Sequence, residues 1–61
     1  MIEMSKFFSD DGTCESVVYK IDNKYKVIAK NDMGTTFAAT FDVEQEAENY
    51  AEDWVMKCLK F

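Results

Sequence analysis

The sequence contains no histidine, no arginine and no proline, and only two of its 61 residues are glycine. Without histidine the commonest general base and metal ligand is missing, and two cysteines alone cannot complete a structural zinc site. Without arginine the usual bidentate reader of phosphate and guanine is missing. The scarcity of glycine and proline argues against a disordered linker. These absences predict a folded domain that is not an enzyme and binds no metal or cofactor.

Long apolar runs are missing as well. The longest wholly apolar stretches have two or three residues, whereas a membrane-spanning helix needs about 20, and the N-terminus does not resemble a secretory signal. The net charge of −5 disfavours nucleic acids and anionic membranes as partners, because both reward clustered positive charge. We therefore expect a single domain, 1–61, in the cytoplasm, with no membrane contact.

Two cysteines, Cys14 and Cys58, could form one disulfide. Disulfides are rare in the cytoplasm, and nine aromatic residues can supply a core without one. The sequence therefore predicts two free thiols.

The C-terminal part has the spacing of an amphipathic helix. Apolar residues recur at intervals of three and four at Ala47, Tyr50, Ala51, Trp54, Val55 and Cys58. Asp42 is a suitable N-cap, and Gln45 three residues later completes a capping-box pattern. The pattern predicts a helix at about 43–59.

Three preceding runs, 15–21, 25–31 and 35–41, alternate in the manner of half-buried strands, with apolar residues at odd positions. Residues that lie opposite each other on paired strands point to the same face of the sheet. Two odd-numbered residues can therefore lie opposite each other only when the loop between the strands has an odd number of residues. Residues 32–34 fit a three-residue loop with Gly34 in the left-handed conformation, and 22–24 are assigned the same length. A two-residue turn at 22–23 is rejected, because it would set Tyr19 opposite Lys26.

The resulting prediction is an α+β fold, an antiparallel β-meander of three strands with one C-terminal amphipathic helix packed on one face. Its three inner rows are Ile21–Tyr25–Phe41, Tyr19–Val27–Ala39 and Val17–Ala29–Phe37. Residues 1–14 are open to a fourth strand, a short helix or a packed tail, and a strand paired with 14–21 is preferred.

Two surfaces of this predicted fold are candidates for binding. On the sheet face away from the helix, Val18, Ile28 and Ala38 form an apolar row, which either the N-terminal segment (Ile2, Met4, Phe7 or Phe8) or a partner must cover. On the helix, Glu44, Glu48 and Glu52 form a ridge of like charges that Met56 continues. A solvated face or a docking surface for a basic partner would both account for this acidic ridge.

Residues 41–54, FDVEQEAENYAEDW, follow the strand-like KYKVI at 24–28. This arrangement resembles the strand-then-helix ending of small accessory proteins from tailed phages, and the resemblance spans the last two-thirds of the chain. Some similar phage proteins bind and inhibit host enzymes, including RNA polymerase. The resemblance therefore implies a modulator of a host macromolecule that works in the host cytoplasm.

The leading functional hypothesis is a non-enzymatic acidic binding protein with a protein partner. A structural homodimer through the open sheet face is the first alternative. The second is nucleic-acid binding through Lys20, Lys24, Lys26 and Lys30, which the net charge and the lack of arginine disfavour.

Overall fold

The computed structural model describes residues 2–10 and 12–58. Within these ranges the chain forms four strands and one helix: β1 (Ile2–Phe8), β2 (Glu15–Ile21), β3 (Lys24–Lys30), β4 (Thr36–Phe41) and α1 (Glu44–Lys57). The strands are antiparallel and lie in the sheet in chain order, β1-β2-β3-β4. The predicted α+β meander is confirmed, and the preferred fourth strand is present.

The β3–β4 hairpin has the predicted loop. The Asn31 N–H donates to the Thr35 carbonyl at 3.1 Å, and the Asn31 side-chain Oδ1 accepts hydrogen bonds from the backbone N–H groups of Met33 and Thr35 at 3.0 Å. Gly34 takes the left-handed conformation, with φ of 84°. Odd positions therefore face odd positions. The resulting pairs are Tyr25–Phe41, Val27–Ala39 and Ala29–Phe37, as predicted.

The β2–β3 hairpin has the two-residue turn that the sequence argument rejected. Asp22 and Asn23 form the turn between the paired residues Ile21 and Lys24. Asp22 has a φ of 55°, a left-handed conformation that aspartate tolerates better than most residues. This turn reverses the faces of β2. The inner rows are therefore Lys20–Tyr25–Phe41, Val18–Val27–Ala39 and Ser16–Ala29–Phe37.

The core lies between the sheet and one side of α1. Val18 and Val27 from the sheet and Ala47 and Ala51 from the helix are fully buried, and larger side chains pack around them: Phe7, Tyr25 and Phe41. Alanines on the helix allow its backbone to approach the sheet closely. The Ser16 hydroxyl, which is completely buried, donates to the Ala51 carbonyl at 2.8 Å. Small inner residues therefore allow a direct hydrogen bond between helix and sheet.

Aromatic rings extend the helix–sheet contact over β4. Trp54 packs on Phe37, with ring centroids 5.7 Å apart, and Tyr50 packs on Phe41 at 5.2 Å. Phe37 is the cross-strand neighbour of Ala29, so Trp54 lies over the inner row Ser16–Ala29–Phe37. Both pairs are tilted, with interplanar angles of 54° and 50°, and aromatic pairs add packing energy beyond simple burial.

Cys14 and Cys58 are joined by a disulfide, with Cα atoms 6.5 Å apart. The prediction of free thiols is therefore wrong. A three-residue loop at 22–24 would have set Cys14, an even position, on the face away from the helix, but the two-residue turn places even positions of β2 and its extension beneath the helix. Cys14 is 4% exposed, and its backbone N–H donates to the Ser9 hydroxyl at 3.0 Å. The bond fastens the end of the helix to the β1–β2 connection.

The start of the helix also differs from the expectation. Val43 occupies the N-cap position without a side-chain cap, and the helix begins at Glu44. The Asp42 carboxylate instead bonds the Lys24 ammonium on the neighbouring hairpin. Glu44 and Glu46 in the first turn and Lys57 in the last turn complement the helix dipole. Residues 59–61, where the predicted helix ended, lie outside the described part of the chain.

Candidate interaction surfaces

The sheet face away from α1, called the open face below, has an apolar centre. Val17 pairs with Ile28, and Ile28 pairs with Ala38, so these three residues form one row across β2, β3 and β4. Ile28 and Ala38 stand where the sequence predicted. Val18 does not, because it is fully buried under the helix, and Val17 takes its place. Tyr19, which the sequence argument placed in the core, lies beside this row.

A shallow depression of about 200 Å³ lies at this centre. Its lining combines apolar and charged side chains from β1, β2 and β3: Lys6, Glu15, Val17, Tyr19, Ile28 and Lys30. Ile28 and Tyr19 are half-buried. The depression therefore offers an apolar floor with charged groups at its border.

The N-terminal segment does not cover the open face. It forms β1, which lies beside β2 as an edge strand. Phe7 points to the other side of the sheet and packs against the core, while Ile2, Met4 and Phe8 are exposed, Phe8 at 59%. The proposed tail cover is thus wrong, because the segment extends the sheet instead of folding over it.

Positive charge collects on the open face. Cross-strand pairing places Lys6, Lys24, Lys26 and Lys30 on this side, together with two acidic strand residues, Glu3 and Glu15. Lys24 is bonded to Asp42, and Lys6 lies 3.9 Å from Glu3. Lys20, included in the predicted basic set, faces the helix side opposite Tyr25. The open face thus has a basic rim although the whole chain has a net charge of −5.

The acidic ridge lies on α1, which covers the other face of the sheet. Glu44 and Glu52 are exposed, and Met56 is 58% exposed. Glu48 is half-buried and accepts a hydrogen bond of 3.2 Å from the Ser5 hydroxyl on β1. One carboxylate of the ridge therefore also links the helix to the edge of the sheet, a contact that the sequence spacing did not reveal.

The described residues provide little that resembles a catalytic or metal centre. Within 2–10 and 12–58, no group of three or more Cys, Asp or Glu side chains is placed to hold a metal ion. The one resolved pKa shift among these residues belongs to Lys57, whose pKa is raised by its hydrogen bond to Asp53 and by the charge of that carboxylate. That pair is a surface contact at 2.8 Å.

The one described helix has 14 residues, and neither its length nor its composition would let it cross a membrane. Comparison of the chain with models of protein families, with curated proteins and with solved structures found no match.

Proposed function

We propose that this chain is a non-enzymatic binding protein that holds a protein partner on its open face. The observation that carries the proposal is the orientation of β2. This strand turns Val17, Tyr19 and Ile21 away from the helix and places Ser16, Val18 and Lys20 beneath it. The more apolar side of β2 is therefore the side without the helix. Val17 is only 7% exposed there, but Tyr19 and Ile21 are half-buried and leave apolar surface in contact with solvent. Exposed apolar surface that lies together is typical of binding sites.

The chemistry of the open face suggests the kind of surface it fits. An apolar centre surrounded by charged residues is the usual anatomy of a protein interface. The lysine rim favours a partner with acidic groups around an apolar side chain that can enter the depression between Val17 and Ile28. Such charge complementarity mainly raises the association rate and selects the partner.

The resemblance to small phage accessory proteins implies a more specific form of this proposal, in which the chain modulates a host macromolecule. The expected cytoplasmic location stays a prediction. The Cys14–Cys58 disulfide weighs against it, because cytoplasmic thiols are normally kept reduced.

The test uses the immobilised full-length chain to capture partners from a lysate, beside two charge-matched variants. Ile28→Lys places a charge in the centre of the open face, and Met56→Lys places one on the exposed side of the helix. A protein partner retained by wild type and Met56→Lys but lost with Ile28→Lys supports the proposal. Equal capture by all three chains contradicts it.

Nucleic acid is the other class that a basic rim with Tyr19 beside it could hold. Binding of a single-stranded oligonucleotide, with affinity that falls steeply with salt and is not weakened by the added positive charge of Ile28→Lys, would replace the protein partner by a nucleic acid.

The acidic ridge is a second candidate surface, for a basic partner. The exposure of Met56 favours it, since a large apolar side chain beside Glu52 suits a contact with a basic rim and a small apolar pocket. A partner lost with Met56→Lys and retained by Ile28→Lys would bind here.

A further inference from the structure

The two edges of the sheet differ in how they resist pairing with another strand. β1 carries Glu3 and Lys6, and its pairing with β2 is irregular between Glu3 and Ser5. Charged residues and bulges are devices that protect a sheet edge. β4, with the sequence TFAATF, has no charged residue, glycine or proline, and it pairs with β3 without interruption. The β4 edge therefore lacks the protection that β1 has.

We propose that β4 is the dimerisation edge of this protein and pairs antiparallel with β4 of a second copy. The pairing joins two four-stranded sheets into one eight-stranded sheet related by a two-fold axis, the commonest symmetry of homodimers. Both helices then lie on the same side of the joined sheet, and both open faces stay accessible. The inference is independent of the function proposed above.

The faces of the strand restrict the register of this pairing. Residues opposite each other must point to the same side of the sheet, so an even position must face an even position. With Ala39 on the axis, Phe37 of each copy lies opposite Phe41 of the other, and Ala38 lies opposite Thr40. Cross-strand aromatic pairs of this kind stabilise a sheet. A register centred on Ala38 would instead set Phe37 opposite Ala39.

The aromatic residues at the β4 edge support the same arrangement. Phe37 and Tyr50 are 43% and 38% exposed although each contacts another ring. Both lie on the helix side of β4, where the second copy would bring an identical set of rings. The dimer would thus cover aromatic surface that one chain leaves partly exposed, and aromatic residues are enriched at interfaces.

A second copy of the chain can pair with this edge at low cost, because neither β4 strand contains a charged side chain that the interface would bury without a partner. The repulsion that remains is long-range, between two chains of net charge −5. Added salt screens this repulsion. Dimerisation should therefore strengthen as ionic strength rises, whereas binding of an acidic partner to the lysines of the open face should weaken.

Sedimentation velocity of the full chain, from micromolar to millimolar concentration, tests the proposal. We expect a dimer whose dissociation constant falls with salt. Ala38→Lys combined with Thr40→Lys should raise that constant at least about tenfold, because like charges then oppose each other across the axis. The matched control, Ile2→Lys with Met4→Lys, adds the same charge to the β1 edge and should not weaken the dimer. A monomer at every concentration, or equal effects of both pairs of substitutions, would overturn the proposal.

A cross-link tests the register without depending on charged variants. Directly opposite residues of antiparallel strands have Cα atoms about 4.5–5.5 Å apart, within the range of a disulfide. Ala39→Cys should therefore give a disulfide-linked dimer on a non-reducing gel. Met33→Cys, at a loop position that is 84% exposed, is the control and should stay mainly unlinked. Equal linking of the two variants, or none, would contradict a β4 interface centred on Ala39.

Discussion

The two faces of the sheet hold different kinds of side chain, and the covered face is not the more hydrophobic one in β2. Under the helix lie Ser16 and Val18, whereas Val17, Tyr19 and Ile21 lie on the open face. The helix presents alanines to the sheet, and small residues on both sides permit close approach. The fit between helix and sheet, and not hydrophobicity alone, therefore selects the buried side of this strand.

The largest contrast between the faces should appear at two neighbouring residues of β3. Val27 is fully buried and Ile28 is half-buried on the opposite side. Val27→Lys leaves a buried charge without a partner, which costs about 3–5 kcal/mol. A domain of this size has a total stability of about 3–9 kcal/mol, so we expect this variant to be largely unfolded by circular dichroism.

Ile28→Lys is the matched control. We expect it to lower the free energy of unfolding by about 1 kcal/mol or less, because the lysine stem can lie over the same surface with its ammonium in water. Urea denaturation measures both variants. Similar losses at the two positions would show that the faces are not distinct.

The next effect concerns the disulfide that fastens the covered side. Its cysteines are 44 residues apart, and closing a loop of this length stabilises a fold by about 4 kcal/mol in the chain-entropy model. Reduction should therefore move the urea midpoint of the wild type strongly downward. The double variant Cys14→Ala, Cys58→Ala should start near the reduced value and show no response to reductant. A wild type that is insensitive to reductant would refute the stabilising role of the bond.

The smallest effect lies on the solvent side of the helix, at Lys57. Its hydrogen bond to Asp53, assisted by the carboxylate charge, raises the lysine pKa above the ordinary value of 10.5. A raised pKa means that the pair favours the folded state below the ordinary lysine pKa, and that this contribution is lost as the pH rises through the folded-state pKa. Titration of the Lys57 Cε resonance by NMR should show the shift, and Asp53→Asn should remove it.

The sequence carried enough information for most of the fold. Periodicity located the strands and helix, and the three-residue loop with Gly34 gave the correct β3–β4 register. It could not determine the β2–β3 turn, because Asp22 and Asn23 suit either loop length and both sides of β2 contain apolar residues. Because the loop was assigned three residues instead of two, the prediction placed Val18 instead of Val17 on the open face. The same error placed Cys14 on the face away from Cys58. The alanines at 47 and 51 were the available signal, since they favour small partners such as Ser16.

The candidate surfaces were also predicted correctly only where the strand register was right. Ile28 and Ala38 were assigned correctly to the open face because they depend on β3 and β4, whose register was right. Tyr19 was missed because it depends on β2. The hydrogen bond from Ser5 to Glu48 joins residues 43 positions apart, and no local pattern encodes such a contact.

The order of the strands has a consequence for how the chain folds. Each strand pairs with the strand that follows it in sequence, so every hairpin closes a short loop at a small cost in entropy. Folding rates rise when contacts are local in sequence, and a chain without proline has no slow prolyl isomerisation to wait for. The sheet can therefore form hairpin by hairpin as the chain leaves the ribosome, and the helix, which follows the four strands in sequence, closes over a surface that is already assembled.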